Sequence, residues 1–162
     1  MATKKTLWRT LAATAAVLLA TTLAACSGTS VSGDTITAGK LTIGTGNPAY
    51  EPWVVGDDPA SGKGFEAAVA YAVAEKLGFK AADVVWVRTT FDEAIAPGSK
   101  NFDFNLQQYS ITDERKANVD FSSAYYETAQ VVVTVAGSPA ASATSIADLK
   151  GYLLGAATGT TS

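Results

Sequence analysis

The sequence is poor in the residues that carry most catalytic and nucleic-acid chemistry. Its 162 residues include no histidine and a single cysteine, Cys26, so no intrachain disulfide can form and no imidazole is present for acid–base catalysis. Charged residues make up only 17% of the chain, and acidic side chains outnumber basic ones by 15 to 12. This composition lacks the basic footprint of a nucleic-acid-binding protein and suits about one soluble globular domain.

Residues 1–25 have the pattern of a secretory signal peptide. Lys4, Lys5 and Arg9 give a positive start, an apolar run covers residues 11–23, and small residues follow before Cys26. The apolar run is too short to span a membrane stably. Removal of these three positive charges leaves nine basic and fifteen acidic side chains, a formal charge of −6.

Cys26 directly follows Leu23, Ala24 and Ala25, an order that resembles the lipobox of bacterial lipoproteins. The resemblance implies that Cys26 becomes the mature N-terminus and carries lipid. The protein would then be anchored at the outer face of the bacterial cytoplasmic membrane or in the periplasm. The alternative is an ordinary free thiol. Residues 26–39, rich in Ser, Thr and Gly, are expected to form a flexible tether.

Strand and helix patterns alternate after this tether. Short strands are predicted at 41–45 and 84–87, and a third strand begins at Phe102, where apolar and polar residues alternate. Helices are predicted between Gly64 and Gly78 and over residues 91–96. The buried stripe of the longer helix is expected at Phe65, Val69, Ala72, Val73 and Leu77. This β-α-β-α-β order predicts an α/β fold with a mostly parallel sheet.

The loops that leave the carboxyl ends of parallel strands meet at one edge of a sheet, where ligands bind. The three loops carry aromatic, amide and hydroxyl side chains and one cation: Asn47, Tyr50, Trp53, Thr89, Thr90, Phe91, Gln107, Gln108, Tyr109, Ser110 and Arg115. A guanidinium can hold a carboxylate by two parallel hydrogen bonds, and an aromatic face accepts an ammonium. The set predicts a site for a small zwitterion. The alternative is that the aromatics belong to the core and Arg115 is a solvated surface charge.

Arg115 is expected just inside a strand-to-helix junction. Thr112 is the predicted N-cap of a helix whose first turn holds Asp113 and Glu114, where acidic side chains complement the helix dipole.

The composition changes after Tyr125 and Tyr126. A β-branched run at 129–135 predicts a long strand, and residues 152–157 predict another. Between them, Ser145 is expected to cap a short helix that stops at Gly151. The last four residues, 159–162, read as the opening of a helix, where free amides and threonine hydroxyls bind anions. A polar tail explains the same four residues equally well.

Together these segments resemble the polar amino-acid class of extracellular solute-binding proteins, the receptors that feed ABC importers. The resemblance runs from about residue 40 to 162 through GTGNPAYEPW, GFEAAVAYAVAEKLG, SITDER, VDFSSAYYETAQVVV, and SIADLKG to GTTS. SITDER followed by VDFS and YY is its most specific part. It implies a type II periplasmic-binding-protein-like fold, with a first α/β lobe at 40–133 and the start of a second lobe at 134–162.

The resemblance also implies roles at the carboxylate end of a bound amino acid. Arg115 matches the arginine that binds the ligand carboxylate, and Ser110 matches a hydroxyl contact beside it. Thr160 and Thr161 match a pair in the second lobe that closes on the same group.

At the other end, Tyr50 and Phe91 match the aromatic positions that sandwich the ligand side chain, and Trp53 lies near that wall. Gln107 and Gln108 fall where the family often has small residues that contact the ligand ammonium through backbone carbonyls. Their larger side chains would narrow the pocket or face elsewhere.

Two parts of the family pattern are missing from the sequence: the acidic residue of the second lobe that holds the ammonium, and the strand that returns to the first lobe. We therefore expect the sequence to be a fragment of a longer protein.

Three functions remain open. The first is a lipid-anchored receptor that closes on an amino acid and delivers it to an ABC transporter permease. The second is a cyclohexadienyl dehydratase-like enzyme on the same fold, and the third is a ligand-sensing input domain. The first is preferred, because an enzyme would need a general acid or base in the cleft, whereas the sequence has no histidine and Glu51 is the only nearby carboxylate in a cleft loop. A sensory input domain is less favoured because no transmembrane segment follows the lipobox. We expect a monomer without catalytic residues, cofactor, metal or nucleic-acid partner.

Overall fold

The computed structural model describes residues 34–162. The predicted signal peptide, Cys26 and the first part of the predicted tether lie outside the described residues. The last part of that tether contacts the folded chain, since the backbone N–H of Ile36 donates to the Asp103 carboxylate at 2.8 Å. Asp103 also accepts the backbone N–H of Thr42 at 2.6 Å, which fixes the entry into the sheet.

Three parallel strands form the sheet in the order β2-β1-β3. They are β1 (Leu41–Gly46), β2 (Val84–Thr89) and β3 (Phe104–Asn105). The central strand β1 is buried at all six positions, as expected for a strand covered on both faces. The predicted α/β class with a parallel sheet is confirmed, and the third strand is shorter than its alternating pattern indicates.

Three α-helices accompany the sheet: α1 (Phe65–Lys76), α2 (Phe91–Ile95) and α3 (Asp113–Lys116). Thr90 and Glu93 form a reciprocal capping box at the start of α2. Thr112 caps α3 by accepting the backbone N–H of Arg115 at 3.2 Å, as predicted. Single 3₁₀ turns occupy Val55–Asp57, Pro59–Ser61, Ala81–Asp83, Pro139–Ser142 and Ile146–Leu149.

The core lies between α1 and the sheet. Leu41 and Ile43 of β1 pack with Ala70 and Ala74 of α1 and with Leu106 after β3. The predicted buried stripe of α1 is wrong except at Val69, which is half-buried and packs against the core. The helix instead buries Glu66, Ala67, Ala70 and Ala74, and Phe65, Ala72, Val73 and Leu77 are exposed. The small alanine side chains allow α1 to lie close to β1. The face of the helix with the alanines therefore packs on the sheet, and the face with the larger side chains is exposed.

The predicted strands at 129–135 and 152–157 are absent, and residues 159–162 do not open a helix. Val133 is 86% exposed and Leu153 is fully exposed. No strand of the described chain pairs with either segment, so their β-branched residues lack the ladder hydrogen bonds and cross-strand contacts that stabilise a strand. Ser145 is the N-cap residue, as predicted, and its backbone N–H donates to the Asp148 carboxylate at 2.9 Å, although the turn that follows is 3₁₀ and not α-helical.

Within residues 34–162, none of the helices has the length and apolar character needed to cross a bilayer.

Candidate functional site

The carboxyl ends of the three strands meet at one edge of the sheet, as parallel pairing requires. Gly46 at the end of β1 is in register with Thr89 at the end of β2. The Thr89 hydroxyl lies 3.2 Å from the Gln107 side-chain oxygen, which joins the loops after β2 and β3. The predicted convergence of loops at this edge is therefore present in the structure.

A first cavity of about 230 Å³ opens between these loops. Six residues of the loop set that predicts the site line it: Asn47, Tyr50, Thr90, Phe91, Gln107 and Gln108. Thr45, Gly46, Pro48 and Ala49 complete its wall. The volume is below the roughly 300–1,000 Å³ typical of drug-sized ligands and suits a small solute.

A second cavity, also of about 230 Å³, contains the cationic part of the predicted site. Arg115, Thr160 and Thr161 line it, and its wall is completed by Ile95, Thr112, Glu114, Asn118 and Gly159. The Ser110 hydroxyl is 2.8 Å from the Thr161 hydroxyl, at the edge of this group. The structure thus brings together all four residues expected at the carboxylate end of a ligand.

Phe91 connects the two cavities. It lines the first, and the Arg115 guanidinium carbon lies 5.2 Å from the centre of its ring. The Tyr109 ring is 4.3 Å from Phe91 and 5.6 Å from the same guanidinium carbon. These distances are within the range of cation–π attraction, so the aromatic wall of one cavity supports the cation of the other.

Arg115 is a buried cation, with only 7% of its surface exposed. One terminal nitrogen donates to the Ser110 carbonyl at 2.9 Å, and the other donates to the Gly159 carbonyl at 2.8 Å. Three of the five guanidinium N–H groups have no acceptor within residues 34–162, and no carboxylate of that range pairs with Arg115. A buried charge without a counter-charge is costly, so this position favours an anionic group.

Tyr109 fixes the aromatic wall. Its phenol donates to the Phe91 carbonyl at 2.7 Å. Burial raises the pKa of this phenol well above its ordinary value, so Tyr109 stays protonated and remains a donor at physiological pH.

Trp53 lies apart from both cavities. It packs edge-on against Phe65 at 5.9 Å and Tyr126 at 5.0 Å. Tyr125 contacts the same Phe65 ring at 6.2 Å, so Trp53 belongs to an aromatic cluster beside the N-terminus of α1.

Sequence reasoning missed Glu66, which is only 1% exposed. Its carboxylate accepts the backbone N–H of Gln108 at 2.8 Å, the Gln108 side-chain amide, and the Tyr125 hydroxyl at 2.5 Å. Burial, followed by the hydrogen bond to Glu66, raises the pKa of Tyr125. The available signal was the spacing of Glu66, Ala70 and Ala74, which places the glutamate on the alanine face of α1.

Within the described range, the acidic side chains form no group of three that could hold a metal ion.

Residues 41–151 match the bacterial extracellular solute-binding proteins, family 3. The chain belongs to this family. Membership implies the type II periplasmic-binding fold expected from the sequence, and the small parallel sheet with its covering helix agrees with it.

Two curated relatives are similar to this family 3 chain. A protein named "Probable histidine-binding protein" from Campylobacter jejuni is 35% identical over 109 residues, which cover 64% of this chain and 41% of the relative. A protein named "L-arginine-binding protein" from Pseudomonas aeruginosa is 33% identical over 114 residues, which cover 70% of this chain and 42% of the relative. The chain therefore spans about two fifths of the length of these relatives. No solved structure matches the chain.

Proposed function

We propose that this family 3 chain carries the ligand-binding part of an amino-acid receptor for an ABC importer. The observation that carries the proposal is Arg115, a buried guanidinium with free N–H groups and no protein counter-ion in the described range. The two relatives are named for histidine and L-arginine, and both of these ligands have an α-carboxylate.

In this proposal the ligand carboxylate binds at Arg115. The remaining guanidinium N–H groups donate to its oxygens. Thr160 and Thr161 line the same cavity, and the Ser110 hydroxyl lies 2.8 Å from the Thr161 hydroxyl. Such charge-assisted, two-pronged contacts are stronger and more directional than a single ammonium–carboxylate pair.

The rest of the amino acid extends past Phe91 into the first cavity. Tyr50 and Phe91 supply aromatic rings to its wall, which Gln107 and Gln108 also line. The position of Trp53 in the neighbouring aromatic cluster favours a supporting role for it and not a direct ligand contact.

The remaining parts of the proposal concern the whole protein. Residues 40–133 would form a first lobe and residues 134–162 part of a second, and closure of the lobes would enclose the ligand. A lipid on Cys26 would hold the receptor at the outer face of the membrane beside its permease. A monomer without cofactor is sufficient for this role.

A role in binding and not in catalysis is supported by the position of Glu51, the carboxylate considered for acid–base work. It accepts the backbone N–H of Gly56 at 3.2 Å and lines neither cavity. We propose that the protein has no enzymatic step.

Calorimetric titration tests the proposal directly. The protein, expressed as its gene encodes it, would be titrated with each of the twenty amino acids, and at least one is expected to bind with heat release. A matched series of decarboxylated amines, such as histamine and agmatine, is expected not to bind. Equal binding of an amino acid and its decarboxylated amine would refute the carboxylate role of Arg115.

A further inference from the structure

The Glu66 carboxylate connects three parts of the chain that sequence order keeps apart. It belongs to the first turn of α1, it receives two hydrogen bonds from Gln108, and it receives a third from Tyr125. No basic side chain of residues 34–162 forms a salt bridge with it. These three donors therefore replace the water that the buried carboxylate has lost.

Gln108 has an unusual backbone conformation at this contact. Its φ angle is +51°, in the left-handed region that residues with a side chain seldom adopt. Glu66 bonds both the backbone N–H and the side-chain amide of this residue. By accepting both hydrogen bonds, the Glu66 carboxylate holds Gln108 in a backbone conformation that residues with a side chain disfavour.

The conformation of Gln108 determines the path of the loop that follows β3. Gln107 and Gln108 line the first cavity, and the Ser110 carbonyl two residues later accepts a hydrogen bond from Arg115. A change at Gln108 would therefore displace both the wall of the first cavity and the acceptor that orients the guanidinium. Glu66 itself lines neither cavity.

We propose that Glu66 is a positioning residue for the amino-acid site, which fixes the loop at 107–110 through Gln108. The inference rests on the proposed function, because it assumes that Arg115 and the first cavity bind the ligand. Through Tyr125 the same carboxylate ties this loop to the segment that leads out of the α/β unit.

A reciprocal exchange of the two side chains tests this role. Gln108→Glu places a second carboxylate against Glu66, and like charges repel strongly where water is excluded. Glu66→Gln alone should disturb the loop less than Gln108→Glu does, because the Gln108 side-chain amide can rotate and offer its oxygen as an acceptor to the new amide. In the double variant E66Q/Q108E, an amide again faces a carboxylate. Glu75→Gln is the control, since Glu75 lies on the exposed side of the same helix.

Two measurements separate this inference from the proposed function. The first is amino-acid affinity by calorimetry, at a temperature where each variant is folded by circular dichroism. We expect Q108E to bind about tenfold or more weakly, a loss of about 1.4 kcal/mol. The double variant should bind more tightly than Q108E, and E75Q should bind like the parent.

The second measurement is hydrogen exchange of the loop amides in the ligand-free protein, which does not depend on any ligand. Exchange at 107–110 should speed up in Q108E and slow again in the double variant. If Q108E does not fold, Gln108→Ala replaces it and should show the same faster exchange. A protein that binds no amino acid but shows this exchange pattern contradicts only the proposed function. Two results would overturn the role of Glu66. One is loop exchange in Q108E that is as slow as in the parent, and the other is faster exchange in Q108E that does not slow again in E66Q/Q108E.

Discussion

Ser110 and Thr161 are 51 residues apart in the sequence, and their hydroxyl oxygens lie 2.8 Å apart in the folded chain. This contact brings the loop after β3 to the last residues of the chain. Arg115 lies beside this contact, and its guanidinium donates to the Ser110 carbonyl and to the Gly159 carbonyl. A cation and several hydroxyls therefore share one cavity, although they come from separate parts of the sequence.

Replacement of Arg115 by lysine should weaken amino-acid binding about 10- to 100-fold. An ammonium is a point charge and cannot reproduce the parallel hydrogen bonds of a guanidinium, and each charge-assisted bond contributes about 1.5–3 kcal/mol. Calorimetry on the folded variant measures the change. Lys116→Arg is the matched control, because Lys116 is exposed and its one salt bridge within residues 34–162 is with Asp113 at the surface. Parent-like affinity in Arg115→Lys would show that the guanidinium does not hold the carboxylate.

Replacement of Phe91 by leucine should separate the aromatic contribution from simple apolar contact. Leucine fills part of the space but offers no ring face to Arg115, so the variant should lose about 0.5–2 kcal/mol of cation–π attraction. The unfolding temperature of the ligand-free protein and the amino-acid affinity measured by calorimetry should both decrease. The control is Phe65→Leu, which removes a ring from the aromatic cluster around Trp53. Equal loss of affinity in both variants would contradict a specific role for Phe91.

Local sequence signals were sufficient for several elements of the fold. The β-branched run at β2 and the Thr112 cap were read from a few adjacent residues, and both are present. The strand predicted at 129–135 failed because β propensity describes a residue's fit to a neighbouring strand. No described strand lies beside this segment, and a local pattern cannot supply that information.

The face of α1 shows a second limit. Residues at helical spacing from Phe65 and residues at helical spacing from Glu66 form adjacent stripes about 100° apart. Hydrophobicity favoured the stripe with the larger side chains, but close packing on β1 selected the alanines and with them Glu66. The contact of Glu66 with Gln108 spans 42 residues, so only the folded chain reveals it.

Part of the candidate site could be predicted from the sequence, and part could not. The parallel strand order was enough to predict that Tyr50, Phe91, Gln107 and Arg115 meet at one edge of the sheet. The order of elements did not reveal that Phe91 stands between two cavities, because the side-chain packing of Phe91 against Arg115 and Tyr109 decides this.

Removal of the Tyr109 hydroxyl should destabilise the aromatic wall moderately. Tyr109→Phe loses the bond to the Phe91 carbonyl, and a hydrogen bond of this kind contributes about 0.5–1.5 kcal/mol. Chemical denaturation of the ligand-free protein would measure the loss. Tyr50→Phe is the control, because the Tyr50 side chain is mostly exposed. An unchanged unfolding free energy in Tyr109→Phe would show that the bond has no net effect.

Asp57 should make the stability of the protein depend on pH. Its carboxylate accepts the backbone N–H of Ala49 at 2.8 Å and pairs with Arg88, so it ties the loop that carries Tyr50 to the end of β2. The Ala49 hydrogen bond, followed by the Arg88 side chain, lowers the pKa of Asp57 below its ordinary value. A lowered folded-state pKa stabilises the protein above the unfolded-state pKa of about 4, and this stabilisation is lost as the pH falls through the folded-state value.

Asp57→Asn should therefore lower the unfolding temperature near neutral pH, and its difference from the parent should shrink as the pH falls below about 4. Thermal unfolding followed by circular dichroism over this pH range measures the difference directly. Asp58→Asn is the matched control, because the neighbouring Asp58 is exposed and forms no salt bridge within residues 34–162. That variant should follow the parent at every pH. A difference between Asp57→Asn and the parent that stays constant down to the lowest pH would show that the asparagine disturbs the loop sterically, and that the charge of Asp57 contributes nothing.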